Sequence, residues 1–415
     1  MEQSTFTVDR RGRKVEIRMR GSQAIISFAA AAAIFALGLA GCKYAATAPP
    51  LPNPSGAPTF PPGVVTETPI PTAAATPIGI AAGPDSNMWF AENNGNKIAK
   101  IVPATMAITE FTVPTLGSQP RDVTRGPNGN PNVWFDEFAG NKIAWIDPGT
   151  GFISEVGIPT SGAGPIGLTA DPTGNLWFGE INVAKIASIT TGGFITEYPI
   201  TYGGNQPAPV AVVIAPDHTV WFVDINNNAI VHMTFPGPVF QEFALLTAAN
   251  NPNFIGVGSD GNLWFTELGD PNFTGCRIGR VNLGGSPSIS EFILPNQPFP
   301  IGDWCTGIAQ GSDGNMWFAE TGVGAIGRIK PNGTVTEYGI PGSGTTAVGM
   351  SNGPDGEMWF TDGNFGLPYA IGTNQVGKVN ISLLPASSIR KQFQVKPTTT
   401  QLKVIPGHGA IIRKK

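Results

Sequence analysis

The sequence predicts an all-β protein: a seven-bladed β-propeller with four-stranded antiparallel blades, closed by a strand from the N-terminal side. Three observations predict it. The pair Trp-Phe occurs seven times, at Trp89, Trp134, Trp177, Trp221, Trp264, Trp317 and Trp359, close to the blade period of about 40–45 residues. Each recurrence lies in a unit with the same succession of short apolar runs and Gly/Asp/Pro turns. The composition agrees, since 54 glycines, 39 prolines and only 13% charged residues in 415 describe many short strands joined by turns.

Each unit resolves into four strands, A to D. Strand A opens on Pro-x-Gly-Ile or a variant, as in Pro77-Ile78-Gly79-Ile80, Pro165-Ile166-Gly167-Leu168 and Cys305-Thr306-Gly307-Ile308. A turn such as Gly83-Pro84-Asp85 or Ser312-Asp313-Gly314-Asn315 leads into strand B, which carries Trp-Phe. A polar loop then leads to strand C, as in Lys97-Ile98-Ala99-Lys100-Ile101. Strand D reads Ile108-Thr109-Glu110-Phe111, Ile195-Thr196-Glu197-Tyr198 or Val335-Thr336-Glu337-Tyr338. Neighbouring residues on a strand point to opposite faces, so Trp fills one gap between blades and Phe the other, each ring burying roughly 150–250 Å². Glycine in strand A suits the crowded wall around the axis.

Closure is expected from the N-terminal side. Val65-Thr66-Glu67 followed by Ile70-Pro71 repeats the strand D pattern of Val335-Thr336-Glu337 followed by Ile340-Pro341, yet precedes the first unit. It is expected as the outer strand of blade 7, with Ile389 to Phe393 the alternative occupant of that slot. The propeller is thus expected over 64–394, and the Thr/Pro/Lys-rich stretch 395–415 as a disordered basic tail.

Residues 1–42 read as an export signal. A basic region holding Arg10, Arg11, Arg13, Lys14, Arg18 and Arg20 precedes the apolar run Ala24 to Leu39, which is shorter than the roughly 20 residues that span a bilayer. Leu39-Ala40-Gly41-Cys42 resembles the lipobox of a bacterial lipoprotein, which makes Cys42 the lipidation candidate and the mature chain an exported protein anchored in the cell envelope. An uncleaved transmembrane helix is the alternative. The proline-rich stretch 43–63 reads as an extended, semi-rigid tether. A net charge of −4 gives no electrostatic footprint for nucleic acid.

Trp264-Phe265-Thr266-Glu267, Trp317-Phe318-Ala319-Glu320 and Ile195-Thr196-Glu197-Tyr198-Pro199-Ile200 resemble the repeat of the streptogramin B lyase (virginiamycin B lyase) family. The resemblance covers about Val64 to Phe393. It implies a carbon–oxygen lyase that opens a cyclic depsipeptide antibiotic by elimination, helped by a divalent cation such as magnesium. It also implies a histidine base inside the Pro-x-Gly entry of strand A in the last blades, with a glutamate nearby on the metal. The corresponding positions here read as Ile78, Arg121, Ile166, Val210, Ile255, Thr306 and Val348. The chain's three histidines fall elsewhere: His218 in an A–B turn, His232 in strand C and His408 in the tail.

Three residues after each Trp stands an acid: Glu92, Glu137, Glu180, Asp224, Glu267, Glu320 and Asp362. One reading is a carboxylate ring able to hold a hard cation. Glu267, Glu320 and Asp362 are then the metal candidates and, for a lyase, the first residues to substitute. The other reading is scaffold, each acid bonded within its own loop or paired with Lys97, Lys142, Lys185 or Arg277. Departures from the repeat mark a ligand rim. Arg121-Asp122 replaces Ile-Gly in blade 2, the loop before blade 6 brings Asp303 and Trp304 with Thr306 following in strand A, and the long B–C loop of blade 7 brings Phe365 and Tyr369. A monomer that binds a small molecule or an envelope component is expected, with a lyase and a purely structural envelope protein as alternatives. Cys276 and Cys305 fall on one face in adjacent blades, which suggests a disulfide in an oxidising compartment; two separate buried thiols are the alternative.

Overall fold

The computed structural model describes residues 64–400 apart from 203, 247–250, 269–275, 295–303, 322–323, 341–345, 364–372 and 384–388. Their strands form seven antiparallel sheets arranged as a β-propeller. In blade 1 the order from the axis outward is Pro77–Ala82, Met88–Glu92, Lys97–Ile101 and Ile108–Thr112. Strands A of the other blades begin at Pro120, Pro165, Pro209, Pro252, Cys305 and Ala347.

The Trp-Phe pairs build the core as expected from strand alternation. Trp89 of blade 1 shares a buried cluster with Phe135 of blade 2. Trp134 does so with Phe178, Trp177 with Phe222, Trp264 with Phe318 and Trp317 with Phe360. The series closes where Trp359 of blade 7 meets Phe90 of blade 1. The buried indole N–H groups find acceptors in the A–B turns: Trp89 donates to Asp85 at 2.9 Å, Trp317 to Asp313 at 3.0 Å and Trp359 to Asp355 at 3.0 Å. The same aspartates hold a base from strand C, as Asp313 holds Arg328 and Asp355 holds Lys378.

Val65–Pro69 is the outer strand of blade 7, with Val65 opposite Val379 and Pro69 opposite Gln375. The ring is tight at the axis. A Cβ added at Gly349 would sit 2.2 Å from the carbonyl oxygen of Ile78, so only glycine lets blade 7 approach blade 1 there.

The C-terminal stretch departs from expectation. Ile389–Gln394 does not compete for blade 7; it pairs with Thr334–Gly339 as a fifth strand of blade 6. Thr398–Thr400, inside the stretch expected to be disordered, pairs with Ser288–Ile293 as a fifth strand of blade 5. Between them Val395 is buried against Phe292 and Leu294. The outer strands D offered unpaired backbone groups, and a Thr-rich run has the β propensity to take them. Nothing in the stretch repeats, so the period that exposed the blades could not expose this strap.

Candidate functional site

Strand A is bulged near its start in each blade, between Pro77 and Ile80 in blade 1 and between Pro120 and Val123 in blade 2. The residues inside the bulge sit at the mouth of the axial channel, on the face that carries the B–C and D–A loops. In blade 2 they are Arg121 and Asp122. Both backbone N–H groups donate to Asp136 Oδ1 at 3.0 Å. Asp122 reaches across to blade 3 and accepts from the Gly167 N–H at 2.7 Å. The Arg121 guanidinium lies 3.5 Å from the ring centroid of Phe138. Burial raises both carboxyls, Asp136 further because Asp122 stands beside it. Burial also brings Arg121 down to about 10, with Asp136 and Asp122 pulling the other way. Sequence reasoning found Arg121 and Asp122 and missed Asp136. Its signal was the double acid Asp136-Glu137 after Trp134-Phe135, where the other blades carry Ala91, Gly179, Val223, Thr266, Ala319 and Thr361.

Pairing corrects one position. Pro252 lies opposite Glu267 as Pro77 lies opposite Glu92, so the residue equivalent to Ile78 is Asn253 rather than Ile255. The Ile255-Gly256 dipeptide imitates Ile78-Gly79 two residues further along the strand. Thr306 is also corrected: it is fully buried. Its hydroxyl lies 2.6 Å from that of Thr321 and donates to the carbonyls of Ala347 and Val348. It joins blades 6 and 7 and is no part of a rim. Trp304 is half-buried next to it, while Asp303, Phe365, Tyr369 and Cys42 lie outside the described residues.

The acids after each Trp are buried, and the lysines expected beside them bind elsewhere. Lys97 pairs with Glu110 at 2.6 Å, Lys142 with Glu155 at 2.6 Å and Lys185 with Glu197 at 2.7 Å. In each case a threonine of the preceding D–A loop joins: Thr72, Thr115 and Thr160 donate N–H groups to those glutamates at 2.8, 2.9 and 2.9 Å. Glu92, Glu137 and Glu180 lie behind these clusters. Burial, then the neighbouring glutamate, raises each to about 8. Blade 4 replaces the threonine with Tyr202, whose hydroxyl bonds Asp224. Asp362 of blade 7 accepts from the Thr346 N–H at 2.7 Å and from Thr373. Asp224 and Asp362 are thus bonded to the D–A loops that lead into their blades. Among the described residues no three His, Cys, Asp or Glu side chains come together as a metal cluster.

The two described histidines lie away from the mouth. His218 is exposed in the A–B turn of blade 4 on the opposite face. His232 stacks on Trp221, ring centroids 4.2 Å apart, and burial lowers its pKa. His408 is outside the described residues. Cys276 and Cys305 are bonded to each other with Cα atoms 5.4 Å apart, and the bond joins blades 5 and 6.

Fold and mouth together define a seven-bladed β-propeller with an Arg-Asp-Asp cluster at its channel. The chain belongs to the virginiamycin B lyase family, whose model matches residues 59–239 and 204–389. It is 31% identical over 134 residues to a virginiamycin B lyase of Nocardia farcinica, a match spanning 32% of this chain and only 42% of that relative. A streptogramin B lyase structure superposes with a TM-score of 0.65 at 30% identity, covering 76% of this chain and 97% of that one. Virginiamycin B lyase from Staphylococcus aureus superposes with a TM-score of 0.64 at 30% identity, over 76% of this chain and 98% of the other. A catalytically inactive form of the S. aureus enzyme, with one histidine replaced by alanine and with quinupristin, gives the same score, identity and coverage.

Proposed function

We propose that the chain is an exported, lipid-anchored propeller that binds a small molecule or an envelope component at the face carrying the B–C and D–A loops, without performing its relatives' ring-opening elimination. One observation carries this reading. The second positions of strand A hold Ile78, Arg121, Ile166, Val210, Asn253, Thr306 and Val348. An elimination needs a base beside the proton it removes, and a guanidinium that stays charged at neutral pH is no such base. The inactive S. aureus form pairs loss of one histidine with quinupristin in its structure, which supports reading a family member without that imidazole as a binder. Arg121, stacked on Phe138 at the mouth, is the group offered to a ligand carbonyl or carboxylate.

The test is incubation of the full chain with a streptogramin B antibiotic and magnesium. The antibiotic is expected to stay intact; linearisation at an ordinary enzymatic rate, about 1–10³ per second, would overturn the reading. A thermal-shift screen of envelope components then finds the ligand, and Arg121→Ala is expected to weaken its binding about tenfold, the loss of roughly one charge-assisted hydrogen bond. For the anchor, Cys42→Ser is expected to release the chain from the membrane fraction or to leave it unprocessed. Normal cleavage with unchanged retention would exclude lipidation.

A further inference from the structure

Large apolar side chains are unevenly distributed over the surface. Among the described residues the exposed ones are Leu116, Phe152, Phe194, Phe235, Val239, Ile293 and Leu383. Leu116 and Ile293 lie toward the D–A loops. The other five lie on the opposite face, where the C–D turns are. Phe152, Phe194 and Val239 occupy one equivalent position in blades 2, 3 and 4, immediately before the residue that pairs with the end of the strand C core: Ile146 opposite Ile153, Ile189 opposite Ile195, Met233 opposite Phe240. They are 70%, 71% and 61% exposed. The same position is Ala107 in blade 1, Ser288 in blade 5 and Thr334 in blade 6.

These three blades differ in charge as well. Opposite the Trp of strand B, blades 1, 5, 6 and 7 carry Lys100, Arg280, Arg328 and Lys378. Each is paired with an aspartate of the A–B turn. Blades 2, 3 and 4 carry Trp145, Ser188 and His232 there. An arc of the face therefore lacks the strand C base, keeping Arg125 at the end of strand A in blade 2, and carries exposed Phe152, Phe194 and Val239 instead.

The chain also enters the propeller on this face. Val65 pairs with Val379, and the Asn380 N–H donates to the Val64 carbonyl at 2.8 Å, at the place where other blades have a C–D turn. Leu383, 57% exposed, lies beside that entry. The stretch 43–63 ahead of it can reach up to about 65 Å at roughly 3.1 Å per residue. A tether of that reach confines the propeller near a bilayer without fixing which face meets it.

We propose that the C–D rim of blades 2–4, led by Phe152, Phe194 and Val239, rests in the interface of the lipid bilayer to which the chain is tethered, so that the channel mouth with Arg121 points away from the membrane. This rests on the anchoring read above. Aromatic side chains favour the lipid–water interface, and tethering raises the effective concentration that a weak apolar contact needs. Asp147 and Asp217 in the neighbouring turns leave the rim no excess of positive charge, so the contact is apolar and insensitive to salt.

The test reconstitutes the full chain in phosphatidylcholine vesicles doped with a photoactivatable phospholipid, followed by flotation and peptide mapping. Labelling is expected in the turns 147–152, 190–194 and 234–239. A Phe152→Ser, Phe194→Ser, Val239→Ser variant is expected to float as well as the parent and to lose most of that labelling; the sites are exposed, and Phe194→Ser alone is expected to lower it partly. A chain that floats but is labelled evenly, or on the B–C and D–A loops, overturns the face and leaves the anchor standing. Cross-links from these turns to a second copy of the chain overturn it in favour of self-association. A chain that does not float overturns both readings.

Discussion

At the scale of single residues, the acids after each Trp show how burial changes the meaning of a carboxylate. Glu137 is buried and lies next to Glu155, which already holds Lys142 and the Thr115 N–H, so Lys142 offsets only part of the cost of a second negative charge. Burial first, and then Glu155, hold Glu137 at about 8, against an ordinary 4.5. A group protonated in the fold but ionised in the unfolded chain binds more protons when folded. Its contribution to stability is complete below about pH 4.5 and is lost as the pH rises through 8. Glu137→Gln keeps the shape and cannot ionise. It is expected to raise Tm at pH 9 by roughly 1–3 °C and to change little at pH 5. A pH-independent effect, or a loss at pH 9, would remove this account of the clusters. The sequence placed the acid and the lysine in one blade; which carboxylate the lysine chose depended on the loop threonine of the preceding blade, which only packing supplies.

At the scale of elements, blades 5 and 6 are the ones with five strands, and their outer strands D are buried where those of blades 1 to 3 are partly exposed. The added strands cover open edges that would otherwise pair with another chain. Ending the chain after 383 is expected to lower Tm by at least about 5 °C and to promote aggregation, because Ile289, Phe292 and Val335, fully buried now, would lose their cover. A truncated chain that stays monomeric and melts with the parent would make the strap ornamental. Removing 64–74 is expected to be worse, since it opens the ring at blade 7 and exposes the Trp359–Phe90 cluster as well.

At the scale of the whole molecule, the irregular sector is the one held by a covalent bond. The interval between Trp264 and Trp317 is the longest between successive Trp-Phe pairs, and the Cys276–Cys305 bond, with a sequence separation of 29, closes most of it. A loop of that length gives a stabilisation of about 3.6 kcal/mol in the chain-entropy account. In the unfolded, unreduced Cys42→Ser chain, thiol titration is expected to find no reactive thiol. Two would show separate cysteines. Reduction is expected to loosen the contact between blades 5 and 6 before the rest of the ring, read as faster hydrogen exchange in strands 277–282 and 305–310.

Seven blades, the strand order within them, the N-terminal closure and the family were legible in the sequence, because each follows from a pattern that repeats or from local chemistry: a Trp-Phe pair, a turn aspartate, a strand-D motif out of place. The strap of residues 389–400, the slot filled by Asn253 in place of Ile255, the closed environment of Thr306 and the partnership of Asp136 with Arg121 and Asp122 were decided by tertiary structure alone. The pairing of a non-repeating strap, a bulge that shifts register by one residue in strand A and the desolvation of a carboxyl depend on neighbours that strand pairing and blade packing bring together. A repeat records what all the blades share; what distinguishes one blade from the next is settled by what packs against it.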